Sequence, residues 1–398
     1  MNKKLLTFSL LVLVILFYCL DYFFRISPGL IVHPLLLQYQ TTALGIGGFA
    51  SAFYLGYTIM HLPGGYLLDR FSLQYILSLA VVSCCLFYMA FLFSKIYILG
   101  CILRLLIGAT SAISFIAVLY VARVFFPANW FSFISSIAIS AGTLFASLIQ
   151  VAAAGLMHVY SWQFIFSLVA IAGIFIGGII FINTKMIHQR SHLNADLSNY
   201  TLKNIIGLFK NRALVLNACI SGLFYLPTTL FVALWGIPFL KQHYHLNEAT
   251  AAFGITLLFL GWAIGAPIIG FMADRIKNFL IITRTTAILA VITSVILLFA
   301  TTNPLILLLL FGLFSSAQVV VWKIFKEHCP VDLSGIGAAY TNMLIMSFGT
   351  IFHLVVGYLV EYGWLSNNLH QPDYQLGLTI MPLAFALVFV LSLFVPNK

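Results

Sequence analysis

Polar residues are scarce along this chain, and their positions divide it. Long apolar runs alternate with short polar breaks. The runs are long enough to cross a bilayer as helices of about 20 residues. Twelve can be counted, at about 6–27, 44–68, 73–94, 96–120, 131–156, 161–183, 212–238, 249–273, 279–301, 304–325, 335–360 and 376–396. The period-two alternation of membrane strands is absent, which excludes an outer-membrane barrel. The pattern predicts an all-α membrane protein of twelve transmembrane helices, numbered 1 to 12 in chain order. The first run follows Lys3 and Lys4 like a signal peptide, but Asp21 and Arg25 come where a small-residue cleavage site would stand. It is read as a retained helix.

Composition strengthens this reading. Of 398 residues, 62% are hydrophobic and 7% charged, against roughly 25% charged in a soluble domain. The basic residues set the orientation. With the N-terminus inside, the inner connections hold Lys3, Lys4, Arg70, Arg123, Lys185, Arg190, Lys203, Lys210, Arg212, Arg275, Lys277, Arg284, Lys323, Lys326 and Lys398, while Lys95 and Lys241 fall outside. That bias predicts both termini in the cytoplasm. It also accounts for the formal charge of +10 without a nucleic-acid partner, because the basic residues are scattered. The six cysteines form no CxxC pair and read as small core residues.

Two breaks in the pattern carry the same letters. Gly65-x-x-x-Asp69-Arg70 ends helix 2, and Gly270-x-x-x-Asp274-Arg275 ends helix 8, 205 positions later. A repeat at half the chain length argues for two similar halves in tandem. The glycine would let another helix approach closely. The Asp and Arg could reach backbone groups and charges of the next loop. A helix end that merely meets water explains one copy better than two. The expected division is an N-terminal six-helix bundle over 1–183, a basic linker over 184–211 and a C-terminal bundle over 212–398. The linker reads either as a cytoplasmic surface helix or as a flexible connection.

Charges inside the spans are the candidate chemistry. Asp21 and Arg25 are four apart and share a face of helix 1. They would line a cavity or form a solvated pair at the outer boundary. Arg104 lies roughly 12 Å inside helix 4, from the helical rise. There it needs a carboxylate, a substrate anion or water. Asp21 is the acid at similar depth, so a static Asp21–Arg104 bridge is the structural alternative to a substrate site. His61 on helix 2 reads as a packed polar residue rather than a proton carrier. Helix 5 is rich in Gly, Ala and Ser, with Gln150 its main polar residue. Helix 7 carries Tyr225, Pro227, Thr228, Thr229, Trp235 and Pro238. Its two prolines predict an irregular helix of the kind that lines a cavity. Trp322 lies on helix 10. Asn342 on helix 11 needs a partner, either a neighbouring helix or the substrate. With nine acids, no ligand-spaced His or Cys cluster and no large loop, a metal or acid–base active site has little to use.

At this level the chain resembles the major facilitator superfamily of secondary transporters over essentially its full length. The resemblance rests on the twelve spans, the central linker, the two Gly-x-x-x-Asp-Arg loops and Arg104-x-x-x-Gly108. It implies two six-helix bundles related by a pseudo-two-fold axis along the membrane normal, with helices 1, 4, 7 and 10 around a central cavity. It also implies alternating access gated by Gly65, Asp69, Arg70, Gly270, Asp274 and Arg275. The chain departs from the pattern in two places. Phe71-Ser72-Leu73-Gln74 stands where the family has a Gly and basic residues. Ser140-Ala141-Gly142-Thr143 lacks the proline typical of drug–proton antiporters, which counts against drug or metabolite efflux. Tyr22 to Pro28, Leu234 to Pro238 and Thr341 to Met343 resemble a bacterial branch of organic-anion symporters and, more distantly, lysosomal dipeptide-type facilitators. That resemblance implies a small carboxylate-bearing solute, proton coupling, no cofactor or metal, and a monomer in the bacterial cytoplasmic (inner) membrane. Asp21, Arg25, Arg104, Tyr225, Trp235, Trp322 and Asn342 are the expected substrate and coupling residues. A non-transporting receptor on the same fold is the alternative.

Overall fold

The computed structural model describes residues 3–127, 130–187, 202–276, 279–329, 333–366 and 372–395. Every predicted run is helical. In hydrocarbon each backbone N–H and C=O must find its partner within the segment. Helices 1 to 6 span Leu5–Leu30, Ala43–Arg70, Leu73–Phe93, Tyr97–Phe125, Phe133–Leu156 and Trp162–Met186. Helices 7 to 12 span Arg212–His243, Glu248–Ala273, Leu280–Phe299, Leu305–Phe325, Ile336–Gly363 and Tyr374–Ser392. Of the linker, 188–201 lies outside the described residues. Leu202–Lys210 forms a short helix, and the Asn211 carboxamide oxygen then caps helix 7 by accepting from the Ala213 and Leu214 amides.

Helix 7 is irregular, as its prolines predict. Pro227–Trp235 is wound as a π-helix between two α-helical pieces. Helix 10 is irregular too, with a 3-10 turn at Ser316–Val320. No proline or glycine in that turn announces it. Helix 1 ends at Ile26 and continues as the 3-10 turn Ser27–Leu30, opened by Pro28.

Packing divides the chain into two units, Met1–Ile31 with Ala52–Leu197, and Val32–Ser51 with Ser198–Lys398. In the first unit helices 2 and 4 touch backbone to backbone. A Cβ on Gly56 would stand 2.0 Å from the Leu105 carbonyl oxygen, and one on Gly108 1.9 Å from that of Phe53. Only glycine permits this approach. In the second unit the start of helix 2 lies on helix 11. Ser51 Oγ donates to the Thr350 carbonyl at 2.7 Å, and the Leu44 amide donates to Glu361 Oε2 at 3.1 Å.

The motif glycine has a different setting from the one expected. At Gly270 an added Cβ would meet nothing within 4 Å. The close approaches on helix 8 fall earlier, at Gly261, where a Cβ would stand 1.9 Å from the Leu309 carbonyl oxygen of helix 10, and at Gly265, where it would stand 2.6 Å from that of Leu313.

Candidate functional site

The site grows from the end of helix 1. In an α-helix the Phe24 carbonyl would accept the amide of residue 28. Residue 28 is proline and has no N–H to give. The carbonyl is therefore left over, buried at membrane depth, where an unmet acceptor is costly. Arg104 of helix 4 meets it, donating from Nη1 at 2.9 Å. The Ile26 carbonyl, at the start of the 3-10 turn, accepts from Gln150 Nε2 of helix 5 at 3.1 Å. Ser27 Oγ and Tyr88 Oη lie 2.7 Å apart. Pro28 thus opens the helix, and polar side chains of three neighbours fasten it.

One turn earlier, Asp21 and Arg25 face each other. Arg25 Nη2 donates to Asp21 Oδ2 at 3.0 Å and to Oδ1 at 3.3 Å. Ser114 of helix 4 donates to Oδ2 at 3.1 Å. The solvated-pair alternative does not hold: Asp21, Arg25 and Arg104 are 0%, 2% and 1% exposed. The Asp21–Arg104 bridge is not formed either. Asp21 pairs with Arg25, and Arg104 holds a carbonyl instead.

Aromatic rings enclose both cations. The Arg25 guanidinium lies 4.6 Å from the Tyr57 ring centre, 4.7 Å from Tyr22, 5.9 Å from Phe53 and 6.0 Å from Tyr54. Arg104 lies 4.7 Å from Phe53 and 5.6 Å from Phe91. Phe53 therefore touches both guanidinium groups. A ring face attracts a cation without taking up its N–H donors. Arg25 Nε has no hydrogen-bond partner among the described residues. The cluster holds two fixed positive charges and one carboxylate, so it carries an excess of one positive charge with a donor to spare.

The second-half candidates sit in other surroundings. Tyr225 and Trp235 are buried on helix 7, and the Trp235 ring lies 6.2 Å from that of Tyr374. The Tyr225 carbonyl accepts from the Thr228 and Thr229 amides. Thr229 in turn offers its carbonyl to His353 Nε2 of helix 11 at 2.7 Å, so that nitrogen carries a proton. Asn342 is half-buried. Trp322 is exposed, with its ring against Phe325. These four are spread over three helices, whereas the three charged residues come together.

The motif loops hold helix ends. Asp69 Oδ1 accepts from Arg123 Nη2 at 2.7 Å, tying the end of helix 2 to that of helix 4. Arg70 donates to the Tyr66 hydroxyl. In the second copy Arg275 covers the Phe271 ring at 4.7 Å, and Lys323 Nζ donates to the Ala273 carbonyl. The side chain of Asp274 lies outside the described residues.

Sequence reading missed Ser114 and the ring set Tyr22, Phe53, Tyr54 and Tyr57. It also missed the Phe24 carbonyl, although Pro28 four residues later was the signal for it.

Known proteins share this architecture. The sequence profile of the Major Facilitator Superfamily matches residues 11–353. The probable galactarate/D-glucarate transporter GudP of Escherichia coli (strain K12) is 26% identical over 365 residues, 80% of this chain and 79% of that protein. A bacterial homolog of the human lysosomal transporter Spinster superposes with a TM-score of 0.78 at 13% identity, covering 99% of this chain and 95% of that one. A D-xylose-proton symporter does so with a TM-score of 0.73 at 15% identity, covering 98% of each. The chain is an integral polytopic membrane protein that belongs to the Major Facilitator Superfamily, a transporter of small molecules and not an enzyme.

Proposed function

We propose that this transporter moves a small organic acid together with a proton, and that Arg25, Arg104 and Asp21 do this work. The observation that carries the reading is the buried cluster itself, with two guanidinium groups against one carboxylate. An excess cation at membrane depth calls for an anion. The likeness to a galactarate/D-glucarate transporter supports a carboxylate-bearing solute. The likeness to a D-xylose-proton symporter supports the fold on which such coupling runs.

The coupling follows from competition. In the site as described, Arg25 is the partner of the Asp21 carboxylate. Removing one partner of a buried ion pair costs about 3–5 kcal/mol, because the other is left uncompensated. A solute carboxylate entering at Arg25 replaces Asp21 as its partner, and Asp21 then takes a proton. Each ligand favours the other, as linkage requires. Tyr225, Trp235, Trp322 and Asn342 stay candidate solute-binding residues of the second half. The halves 1–183 and 212–398 alternate about the linker, with both termini cytoplasmic, as a monomer in a bacterial inner membrane. The Asp69–Arg123 pair fixes one helix corner during that motion.

The test is uptake of glucarate, gluconate and a dipeptide into proteoliposomes, with and without a pH gradient. The gradient should drive accumulation of an acid in wild type. Asp21→Asn should lose the drive and keep solute exchange. Equal accumulation in the variant rules out Asp21 as the coupling site. No flux of any acid overturns the anion reading and favours the receptor alternative.

A further inference from the structure

A short helix that the proposed mechanism does not use has an edge ill suited to water. Leu202–Lys210 ends one residue before helix 7 starts. Its Ile206 and Phe209 are 44% and 48% exposed. They are three apart and share a face. Leu208, on another side of the helix, is buried. An added Cβ on Gly207 would meet nothing within 4 Å. Lys210 is four residues beyond Ile206 and is its neighbour on the helix surface. Lys210 and Arg212 are both exposed, and neither forms an ion pair among the described residues. One side of the helix is thus seated on the protein, and an apolar edge flanked by cations is left open.

Depth says what covers that edge. The Phe209 ring lies 4.7 Å from the ring of Tyr340, edge to face. Tyr340 is the fifth residue of the helix 11 span Ile336–Gly363. It therefore lies about 6 Å inside the start of the span, at the helical rise. An interfacial helix buries its apolar side at this level, about 5–10 Å into the boundary between headgroups and acyl chains. Acyl chains are the favourable neighbours of Ile206 and Phe209 there. The cations select the headgroup. A lysine or arginine at such an edge lays its stem along the chains and reaches the phosphate layer with its charge. The preceding stretch, 188–201, brings no surplus of acid to answer them, since it sets Asp196 against Arg190.

We propose that Leu202–Lys210, together with Arg212, is a binding surface for anionic phospholipid. The lipid belongs to the leaflet at the start of helix 7, the cytoplasmic one in the orientation proposed above. Its chains cover Ile206 and Phe209, and its net negative charge meets Lys210 and Arg212. Bound there, it steadies three helix ends. Asn211 caps helix 7 through the Ala213 and Leu214 amides, and its Nδ2 donates to the His328 carbonyl at the end of helix 10 at 3.3 Å. Phe209 touches helix 11 at Tyr340. A lipid that holds the short helix in place holds these contacts with it.

The experiment is photo-crosslinking of the full-length protein in nanodiscs of equal parts phosphatidylglycerol and phosphatidylcholine. A benzophenone amino acid replaces Ile206. In a separate sample it replaces Phe175, 69% exposed on helix 6, as the reference for the surrounding lipid. Mass spectrometry of the adducts gives the ratio of the two lipids. Relative to the reference, the Ile206 probe should favour phosphatidylglycerol by about fivefold or more, the worth of one basic residue near an anionic surface. Lys210→Gln with Arg212→Gln should return the ratio to that of the reference. Phosphatidylglycerol should also raise the melting temperature of wild type more than that of the double variant. Equal adducts of the two lipids at Ile206 overturn the proposal without any change at the cations. So do adducts to protein in place of lipid, a ratio unchanged in the double variant, or the same melting shift in both proteins. The result is independent of the anion reading, because absence of flux for every acid would leave the lipid ratio as it is.

Discussion

Helices 2 and 4 in the first unit and helices 8 and 10 in the second are one arrangement made twice. Gly56 meets the Leu105 carbonyl and Gly108 that of Phe53; Gly261 meets the Leu309 carbonyl and Gly312 that of Leu258. The second set follows the first by 204 or 205 positions, the spacing of Asp69 and Asp274. The frame is duplicated down to the carbonyl each glycine touches, yet the chemistry is not. Position 104 is a buried arginine, and 204 positions on stands the buried Leu308. His61 is matched 205 positions on by Ala266. Among the described residues every buried Asp, Glu, Lys or Arg is in the first unit. A feature kept in both copies belongs to the fold. A costly feature kept in one, such as charge at membrane depth, needs a separate reason. In the function proposed above, solute and proton binding supply it.

The sharpest way to break the comparison is to fill the shared contact. In Gly108→Leu and Gly312→Leu the new side chain begins 1.9 Å from a carbonyl oxygen. The backbones must part, and the cost should reach or exceed the upper end of overpacking, about 3 kcal/mol. Both variants should lose most folded protein in a thermal-shift or detergent-extraction assay. A large loss in one and little in the other would end the claim that the two contacts are equivalent.

A smaller effect is expected where the halves differ. Arg104→Leu makes the first half resemble the second but strands the Phe24 carbonyl, at a cost of about 1–3 kcal/mol. Pro28→Ala restores an amide at position 28, which can take that carbonyl. The double variant should then be less damaged than the two single losses combined, by about 0.5–3 kcal/mol of coupling. Additive losses would show that Arg104 and Pro28 are not linked through Phe24. Transport should fail in both variants that lack Arg104, whatever their stability.

What could be read from sequence follows the same divide. Twelve spans and the half-chain repeat were visible, because burial in hydrocarbon imposes length and periodicity on every residue. The irregular winding of helix 7 was visible in Pro227 and Pro238. The 3-10 turn of helix 10 was not, since Ser316–Val320 contains no residue that forces it. Asp21, Arg25 and Arg104 stood out because charges there are rare. Their pairing did not, because depth alone cannot choose between two arginines. The cage of Tyr22, Tyr54 and Tyr57 was hidden among the many aromatic residues of an apolar chain. The motif glycine misled, since Gly270 touches nothing while Gly261 carries the contact.

The inner corners of the two halves can be compared in function. Asp69→Asn removes the ion pair with Arg123, whose side chain is 53% exposed. The stability change should be under about 1 kcal/mol. Lys323→Met removes a donor from the Ala273 carbonyl near the end of helix 8, worth about 0.3–1 kcal/mol. Both should slow transport and change the accessibility of engineered cysteines facing the two solutions. If Asp69→Asn alters neither flux nor accessibility, the first motif is a helix end and nothing more.

The smallest effect is expected at Gly270. Glycine within a helix costs about 1 kcal/mol relative to alanine. The usual reason to keep it in a membrane helix is close approach by another backbone. Here an added Cβ has open space for 4 Å. Gly270→Ala should therefore leave the melting temperature unchanged or raise it slightly. Gly64→Ala in the first half should cost a little, because the new methyl would stand 2.9 Å from Ile116 Cδ1, the movable end of a side chain. The two variants ask whether Gly270, and Gly64 beside the motif glycine Gly65, serve packing in the state described here. A clear destabilisation by Gly270→Ala would mean that a helix does approach that face in another state of the cycle. The two halves would then share one more contact than this structure displays.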